Sequence, residues 1–211
     1  VYGDKNQPPI PETGIIDPIN TYGRTKAYAE NLLHDLCNSS TKPWSIRILR
    51  YFNPVSAHSS GVLGEEITGQ VDNLFPILCK VAEGKLKTLN IYGKDWPIRD
   101  GTCIRDYIHI MDLAEAHCAT LDFLFENQPQ IINLNVGTGI GTSVLELIKI
   151  FMKVNKCKIN YKYSERRLGD LPFVVADNKK ITSILEWIPK RNVEQMCKDA
   201  WNWQKENPSG F

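Results

Sequence analysis

The sequence predicts an α/β fold with mainly parallel strands, and two observations lead to this prediction. The chain has 211 residues, of which 42% are hydrophobic, so it is long enough to bury a substantial core. Segments with helical periodicity alternate with short β-rich segments along the whole chain. This alternation is typical of strands that are joined by crossover helices. The expected protein is therefore globular and not disordered.

Each predicted element has its own signal. Apolar residues spaced by three or four positions indicate helices, and β-branched runs between turn residues indicate strands. Polar, glycine-containing loops are expected up to about Asp72 and again up to Asp106. In chain order, the predicted elements are a helix at about 20–38, a strand at 44–51, a helix at 73–83, a strand at 89–92, a helix at 111–125, a strand at 131–136, a helix at 144–154, a strand at 159–163, and helices at 178–186 and 193–206.

Charge and cysteine usage limit the classes of partner. Lysine plus arginine total 25 against 24 acidic residues, so the net charge of +1 gives no field that would recruit nucleic acid or an anionic membrane. Any anionic ligand must therefore be held by local cations. The six cysteines are scattered, without a C-x-x-C pair or a zinc-spaced cluster, which predicts reduced thiols in a cytoplasmic protein and no metal site. No run approaches the roughly 20 apolar residues of a membrane helix.

Tyr22 and Lys26 are four residues apart at the start of the first predicted helix, so both side chains project from one face. A neighbouring ammonium favours the phenolate form of a tyrosine, which makes the phenol a better base at neutral pH. The same pattern fits an ordinary helix start with an exposed aromatic ring and a solvated lysine, because Y-x-x-x-K is frequent by chance. The surrounding sequence has to separate these two interpretations.

Ordered motifs along the chain supply that context. They are NTYGRTK at 20–26, LRYFNP at 49–54, GTCIRDYIH at 101–109, NVGTG at 135–139, RRLGD at 166–170 and WNWQKENP at 201–208. Several motifs in one order are far more specific than one motif alone. This set resembles the extended short-chain dehydrogenases that act on nucleotide sugars. Within that family it is most similar to the UDP-glucose 4-epimerases, over essentially the whole chain.

The resemblance implies a partial Rossmann-type parallel sheet, the carboxy-terminal half of an extended short-chain dehydrogenase fold, with a smaller α/β substrate-binding domain. Residues 1–60 would be the remainder of the NAD-binding domain and 61–211 mainly the UDP-sugar-binding domain, with about 106–137 returning to the Rossmann sheet. The family's glycine fingerprint, adenosine pocket and catalytic serine would precede Val1, so we expect further sequence upstream. The 211 residues alone are expected to be inactive and loosely folded, because a parallel sheet without its central strands exposes apolar edges.

The resemblance also implies NAD-dependent interconversion of UDP-glucose and UDP-galactose through transient oxidation at sugar C4, in galactose metabolism. Tyr22 would remove the proton of the 4-hydroxyl while NAD accepts the C4 hydride. Lys26 would support the tyrosine and hydrogen-bond the nicotinamide ribose. Tyr51 and Phe52 would lie next to the nicotinamide. A homodimer formed through the Tyr22 helix is implied as well.

The same resemblance assigns residues to the UDP-hexose substrate. Arg105 and Arg167 are the candidates for the diphosphate, because a guanidinium fork offers two parallel charge-assisted bonds to phosphate oxygens. Val174, seven residues after Arg167, would lie beside the sugar C2 substituent, where a valine leaves room for N-acetylated UDP-sugars. The remaining candidates are Asp170 for the ribose hydroxyls, Asn53, Asn73 and Leu74 for the sugar nucleotide, and Asn90 to Tyr92 for the uracil side.

Three other interpretations of the residues have to be considered. The glycine run at 137–141 lacks the G-x-G-x-x-G spacing of a dinucleotide fingerprint, so a packing turn is expected there. Another nucleotide-sugar enzyme, such as a 4,6-dehydratase or a decarboxylase, stays open, although a dehydratase is expected to carry an acidic pair near the catalytic helix and none stands out. A non-catalytic UDP-sugar-binding fragment also stays open.

Overall fold

A computed structural model describes residues 1–66 and 73–210, and these residues have an α/β architecture. The helices are α1 (Thr21–Ser39), α2 (Leu74–Ala82), α3 (Ile110–Glu126), α4 (Val144–Asn155), α5 (Lys179–Leu185) and α6 (Val193–Glu206). The strands are β1 (Ile46–Tyr51), β2 (Asn53–Val55), β3 (Leu89–Tyr92), β4 (Ile104–His109), β5 (Ile131–Val136), β6 (Gly141–Ser143), β7 (Tyr161–Ser164) and β8 (Phe173–Val174).

Parallel pairing dominates the sheets of this described part. β1 pairs with β5, from Ile46 opposite Ile131 to Tyr51 opposite Val136. β4 is the centre of a second sheet, where it pairs in parallel with β2 and β8 and antiparallel with β6. β3 and β7 form a third, parallel pair. The predicted α/β fold with mainly parallel strands is confirmed.

Two hydrophobic cores meet at β4. Adjacent residues of a strand point to opposite faces, and β4 contributes Tyr107 to one core and Ile108 to the other. The Tyr107 core is built mainly by α2, β3, α4 and α6. The Ile108 core is built mainly by α3, β5 and α5. β4 is therefore the strand that both halves of the structure share.

Each predicted helix and strand agrees with the structure to within about two residues, but four strands of the structure were not predicted. The loop expected up to Asp106 is wrong at its end, because residues 104–109 form β4. Arg105 and Asp106 interrupt the apolar pattern of this strand, although five of its six residues, including Asp106, are buried between the cores. The two- and three-residue strands β2, β6 and β8 also have no counterpart among the predicted elements. Part of the predicted loop before Asn73 lies outside the described residues.

Among the helices of residues 1–66 and 73–210, none is both long enough and apolar enough to cross a membrane.

Candidate functional site

A cavity of about 460 Å³ lies beside the central strand β4, bounded by β2, β3 and the start of α2. Its wall combines apolar, amide and charged side chains, which suits a ligand with an apolar ring and an anionic group. Eight of the nine residues predicted to bind substrate line it. They are Asn53, Asn73, Leu74, Asn90, Tyr92, Arg105, Arg167 and Asp170, and Phe52, a predicted cofactor contact, lines it as well.

Arg105 is held in place at the cavity wall by acceptors on its own strand and on the loop at 170–171. Its Nη1 donates to the carbonyl oxygens of Ile104 at 3.0 Å and Leu171 at 2.7 Å, and its Nη2 lies 3.3 Å from Asp170 Oδ1. The Arg105 side chain is only 16% exposed. These bonds orient the guanidinium group before any ligand binds.

Arg167 and Tyr92 form an aromatic and cationic surface on another part of the same wall. The guanidinium carbon of Arg167 lies 3.8 Å from the centre of the Tyr92 ring. Such stacking holds a planar cation against an aromatic face. With Arg105, this arrangement brings two cations to one cavity, as recognition of a diphosphate requires in a chain of nearly zero net charge.

Tyr22 and Lys26 lie on the first turns of α1, where the local sequence fixes the helix start. The Asn20 side chain caps the helix by accepting a hydrogen bond from Gly23 N at 2.7 Å. Gly23 packs so closely that a Cβ there would lie 2.8 Å from Pro18 Cβ. Lys26 Nζ lies 5.3 Å from the centre of the Tyr22 ring, and Tyr22 is 72% exposed. The two side chains are thus neighbours on an open helix face.

Tyr51 and Phe52, the two residues predicted to lie next to the nicotinamide, point to different sides of the chain. Phe52 lines the cavity and packs against Tyr2, with ring centres 6.3 Å apart. The Tyr51 hydroxyl lies 2.7 Å from Nε2 of His117 on α3, away from the cavity lining, and burial raises the pKa of Tyr51. Neighbouring residues of an extended chain point to opposite sides, which accounts for the difference.

Tyr22, Lys26 and Val174 also lie outside the lining of this cavity. Val174 is in β8, directly opposite Arg105 of β4, and is half-buried. It is therefore one strand away from a cavity-lining arginine. Its predicted contact with the sugar C2 substituent stays a prediction.

Asp106 organises the glycine run at 137–141, and the sequence analysis did not single it out. Its buried carboxylate accepts hydrogen bonds from Thr138 N and Oγ1 at 2.8 and 2.6 Å, from Gly139 N at 3.0 Å and from Ala176 N at 3.1 Å. Burial raises the pKa of Asp106, while these hydrogen bonds oppose the rise. The run is a packing turn around a carboxylate, as predicted. The available signal was an acidic residue directly before the apolar residues Tyr107 and Ile108.

The donor set around α1 fits a nicotinamide ribose, because a phenol and an ammonium project together from an exposed helix face. No group of three or more His, Cys, Asp or Glu side chains in the described ranges is placed to hold a metal ion.

Comparisons with known proteins agree with this geometry. A protein-family model described as GDP-mannose 4,6 dehydratase matches residues 1–200. A UDP-glucose 4-epimerase of Bacillus subtilis (strain 168) is 43% identical over 211 residues, which are 100% of this chain and 62% of the relative. A bifunctional UDP-glucose 4-epimerase and UDP-xylose 4-epimerase of Pisum sativum is 46% identical over 212 residues, covering 100% of this chain and 60% of the relative.

The solved structure of UDP-glucose 4-epimerase from Bifidobacterium longum in complex with NAD⁺ and UDP superposes on this chain with a TM-score of 0.95 at 41% identity. The match covers 100% of this chain and 62% of that one. The chain thus spans about 60% of the length of the relatives that it matches. It belongs to the family described as GDP-mannose 4,6 dehydratase, and it has the Rossmann-type extended short-chain dehydrogenase fold of the UDP-glucose 4-epimerases.

Proposed function

We propose that this chain carries the base and the sugar-nucleotide pocket of an NAD-dependent UDP-hexose 4-epimerase that interconverts UDP-glucose and UDP-galactose. The observation that carries the proposal is the single cavity that gathers eight of the nine predicted substrate residues. Whole-chain similarity to UDP-glucose 4-epimerases supports the same reaction. We also propose the division into residues 1–60 and 61–211, with 106–137 returning to the first domain.

In this proposal, the arginines and polar side chains of the cavity wall hold the nucleotide. Arg105 and Arg167 bind the diphosphate, and the N–H groups at the start of α2, next to Asn73, add donors at the positive end of a helix. The Tyr92 side of the wall receives the uracil ring. The Asp170 carboxylate accepts hydrogen bonds from the ribose hydroxyls. These contacts orient the sugar while its C4 reacts.

Tyr22 and Lys26 of α1 carry out the chemistry in this proposal. Tyr22 takes the proton from the sugar 4-hydroxyl and later returns it to the same oxygen, so it acts first as base and then as acid. Lys26 stabilises the negative charge that develops on the Tyr22 oxygen and would hold the nicotinamide ribose of bound NAD. When bound, NAD would supply a reversible hydride acceptor for sugar C4, so the sugar could be inverted without net oxidation. Phe52 would pack beside the nicotinamide, whereas the contact predicted for Tyr51, whose hydroxyl lies at His117 on α3, stays a prediction.

The experiment uses the chain extended upstream to the length of its relatives, called the extended protein below. We expect it to convert UDP-galactose to UDP-glucose, and Tyr22→Phe to lose this activity by about 10²-fold or more. Tyr28→Phe is the matched control, because it removes the same atom from an exposed tyrosine of the same helix. It should keep wild-type turnover.

Other outcomes favour the alternatives. No turnover in the extended protein, with UDP binding retained by the 211-residue chain, would favour a non-catalytic binding fragment. Release of a 4-keto-6-deoxy product would favour a dehydratase, the reaction named by the matching family model. Turnover by the 211-residue chain alone would contradict the expectation that it is inactive.

We further propose a cytoplasmic homodimer that acts in galactose metabolism. The outer face of α1 exposes Leu32 at 69% and Leu36 at 39%, which supports contact with another surface. All six cysteines are free thiols, which supports a reducing compartment. Light scattering of the extended protein tests the dimer, and Leu32→Glu should convert it to monomer.

A further inference from the structure

The helix that carries Tyr22 and Lys26 has little apolar contact with the rest of the described structure. Only Gly23, Ala27 and Glu30 of α1 are buried. Two of these have no side chain beyond a methyl group, so they allow close approach but do not resist rotation of the helix. The third is a carboxylate, so its partner, together with the contact of His34 Nε2 with Asn133 Oδ1 of β5 at 3.2 Å, must do much to fix the orientation of α1.

Glu30 forms a buried, bidentate ion pair with Arg50 of β1. Arg50 Nε donates to Glu30 Oε1 at 2.9 Å, and Arg50 Nη2 donates to Glu30 Oε2 at 2.6 Å. The two side chains are 6% and 11% exposed for Arg50 and Glu30 respectively. A planar guanidinium that bonds both carboxylate oxygens fixes direction as well as distance.

Arg50 is itself held from the other side. Its Nη1 donates to Tyr2 Oη at 2.8 Å and to the Glu12 carbonyl oxygen at 3.0 Å. Tyr2 Oη in turn donates to Asn135 Oδ1 at 2.7 Å, on β5. Burial opposes the charge of Arg50, but the hydrogen bonds with Glu30 and Tyr2 outweigh it and raise the pKa of the guanidinium. Arg50 is therefore a fixed, charged point on the sheet.

The pair lies where small movements of α1 matter. Lys26 and Tyr22 precede Glu30 by four and eight residues, about one and two turns of the helix. An atom about 6 Å from the helix axis moves by about 1 Å when the helix rotates by about 10°. A misplacement of about 1 Å can reduce a reaction rate by about 10²-fold. Arg50 is also two residues before Phe52, which lines the cavity.

We propose that the Glu30–Arg50 pair is a positioning device, which fixes the rotation of α1 and so places Tyr22 and Lys26 relative to the Phe52 end of the cavity. The inference rests on the proposed epimerase function. Neither residue of the pair touches the substrate in this proposal. Both act through the helix that they hold.

The test compares Glu30→Gln and Arg50→Lys with Asp112→Asn in the extended protein. Asp112 of α3 is the matched control because it is fully buried and ion-paired with Arg191, at 2.5 Å from Nη1, and its hydrogen bonds go to Arg191 and not to α1. We expect Glu30→Gln and Arg50→Lys each to lose about 10²-fold in kcat while KM changes by less than about threefold. Asp112→Asn should lower the thermal unfolding temperature without this loss of kcat.

Hydrogen–deuterium exchange over residues 21–39 gives a second, activity-independent readout. Glu30→Gln should accelerate exchange of these amides more than Asp112→Asn does. Unchanged kcat in the pair variants, or an equal loss in Asp112→Asn, would overturn the proposal. Absence of turnover in the wild-type extended protein would instead refute the epimerase function, and the exchange comparison would then decide the positioning claim alone.

Discussion

Replacing Asp106 by asparagine should destabilise the protein, because no neutral side chain of that shape can accept the same hydrogen bonds. Asp106 Oδ1 accepts from Thr138 N and Oγ1, and Oδ2 accepts from Gly139 N and Ala176 N. An asparagine oxygen can replace Oδ1. Its NH₂ group would then face two N–H donors at the Oδ2 position.

The magnitude follows from the two bonds that are lost. Hydrogen bonds to a charged group contribute about 1.5–3 kcal/mol each, so two lost bonds cost about 3–6 kcal/mol. Removing a charge whose burial raises the pKa of Asp106 offsets part of this cost. We therefore expect the free energy of unfolding to fall by about 3 kcal/mol.

The assay is urea unfolding of the extended protein, followed by tryptophan fluorescence, for wild type and variant. Asp122→Asn is the control, because Asp122 is an exposed carboxylate of α3 and its loss should change stability by less than about 0.5 kcal/mol. A loss of less than about 1 kcal/mol in Asp106→Asn, or one no larger than in the control, would refute the claim that this carboxylate holds the turn at 137–141.

Three further predictions concern the site, the pH dependence of stability and the substrate range. Arg105→Lys should weaken UDP binding by about tenfold or more in calorimetry, because an ammonium cannot form the fork, whereas Arg99→Lys, outside the cavity lining, should not. Burial lowers the pKa of His109, whose Nδ1 accepts the Met111 N–H that starts α3. The neutral ring is favoured in the native state, so urea unfolding should show stability intact above about pH 6.5 and falling below it, and His109→Asn, which can still cap the helix, should remove this fall. Val174→Tyr should abolish turnover of N-acetylated UDP-sugars while sparing UDP-galactose, and equal loss on both substrates would remove the steric argument.

The sequence alone was sufficient for features that depend on neighbours in the chain. The spacing of Tyr22 and Lys26 places both on one face of α1, and the apolar period locates the helices to within about two residues. The missing fingerprint spacing at 137–141 was enough to predict a packing turn. Motif resemblance also named eight residues that line one cavity, although they are far apart in the chain.

Only the tertiary structure decided features that depend on contacts between distant segments. β4 could not be read from its pattern, because Arg105 and Asp106 obtain their partners from residues 138–176. In the sequence, Glu30 is indistinguishable from an exposed charged residue of a helix. Only the structure shows that it is buried against Arg50 of β1. Burial of a charge is favourable only with a partner at hydrogen-bonding distance, and the fold, not the local sequence, supplies that partner.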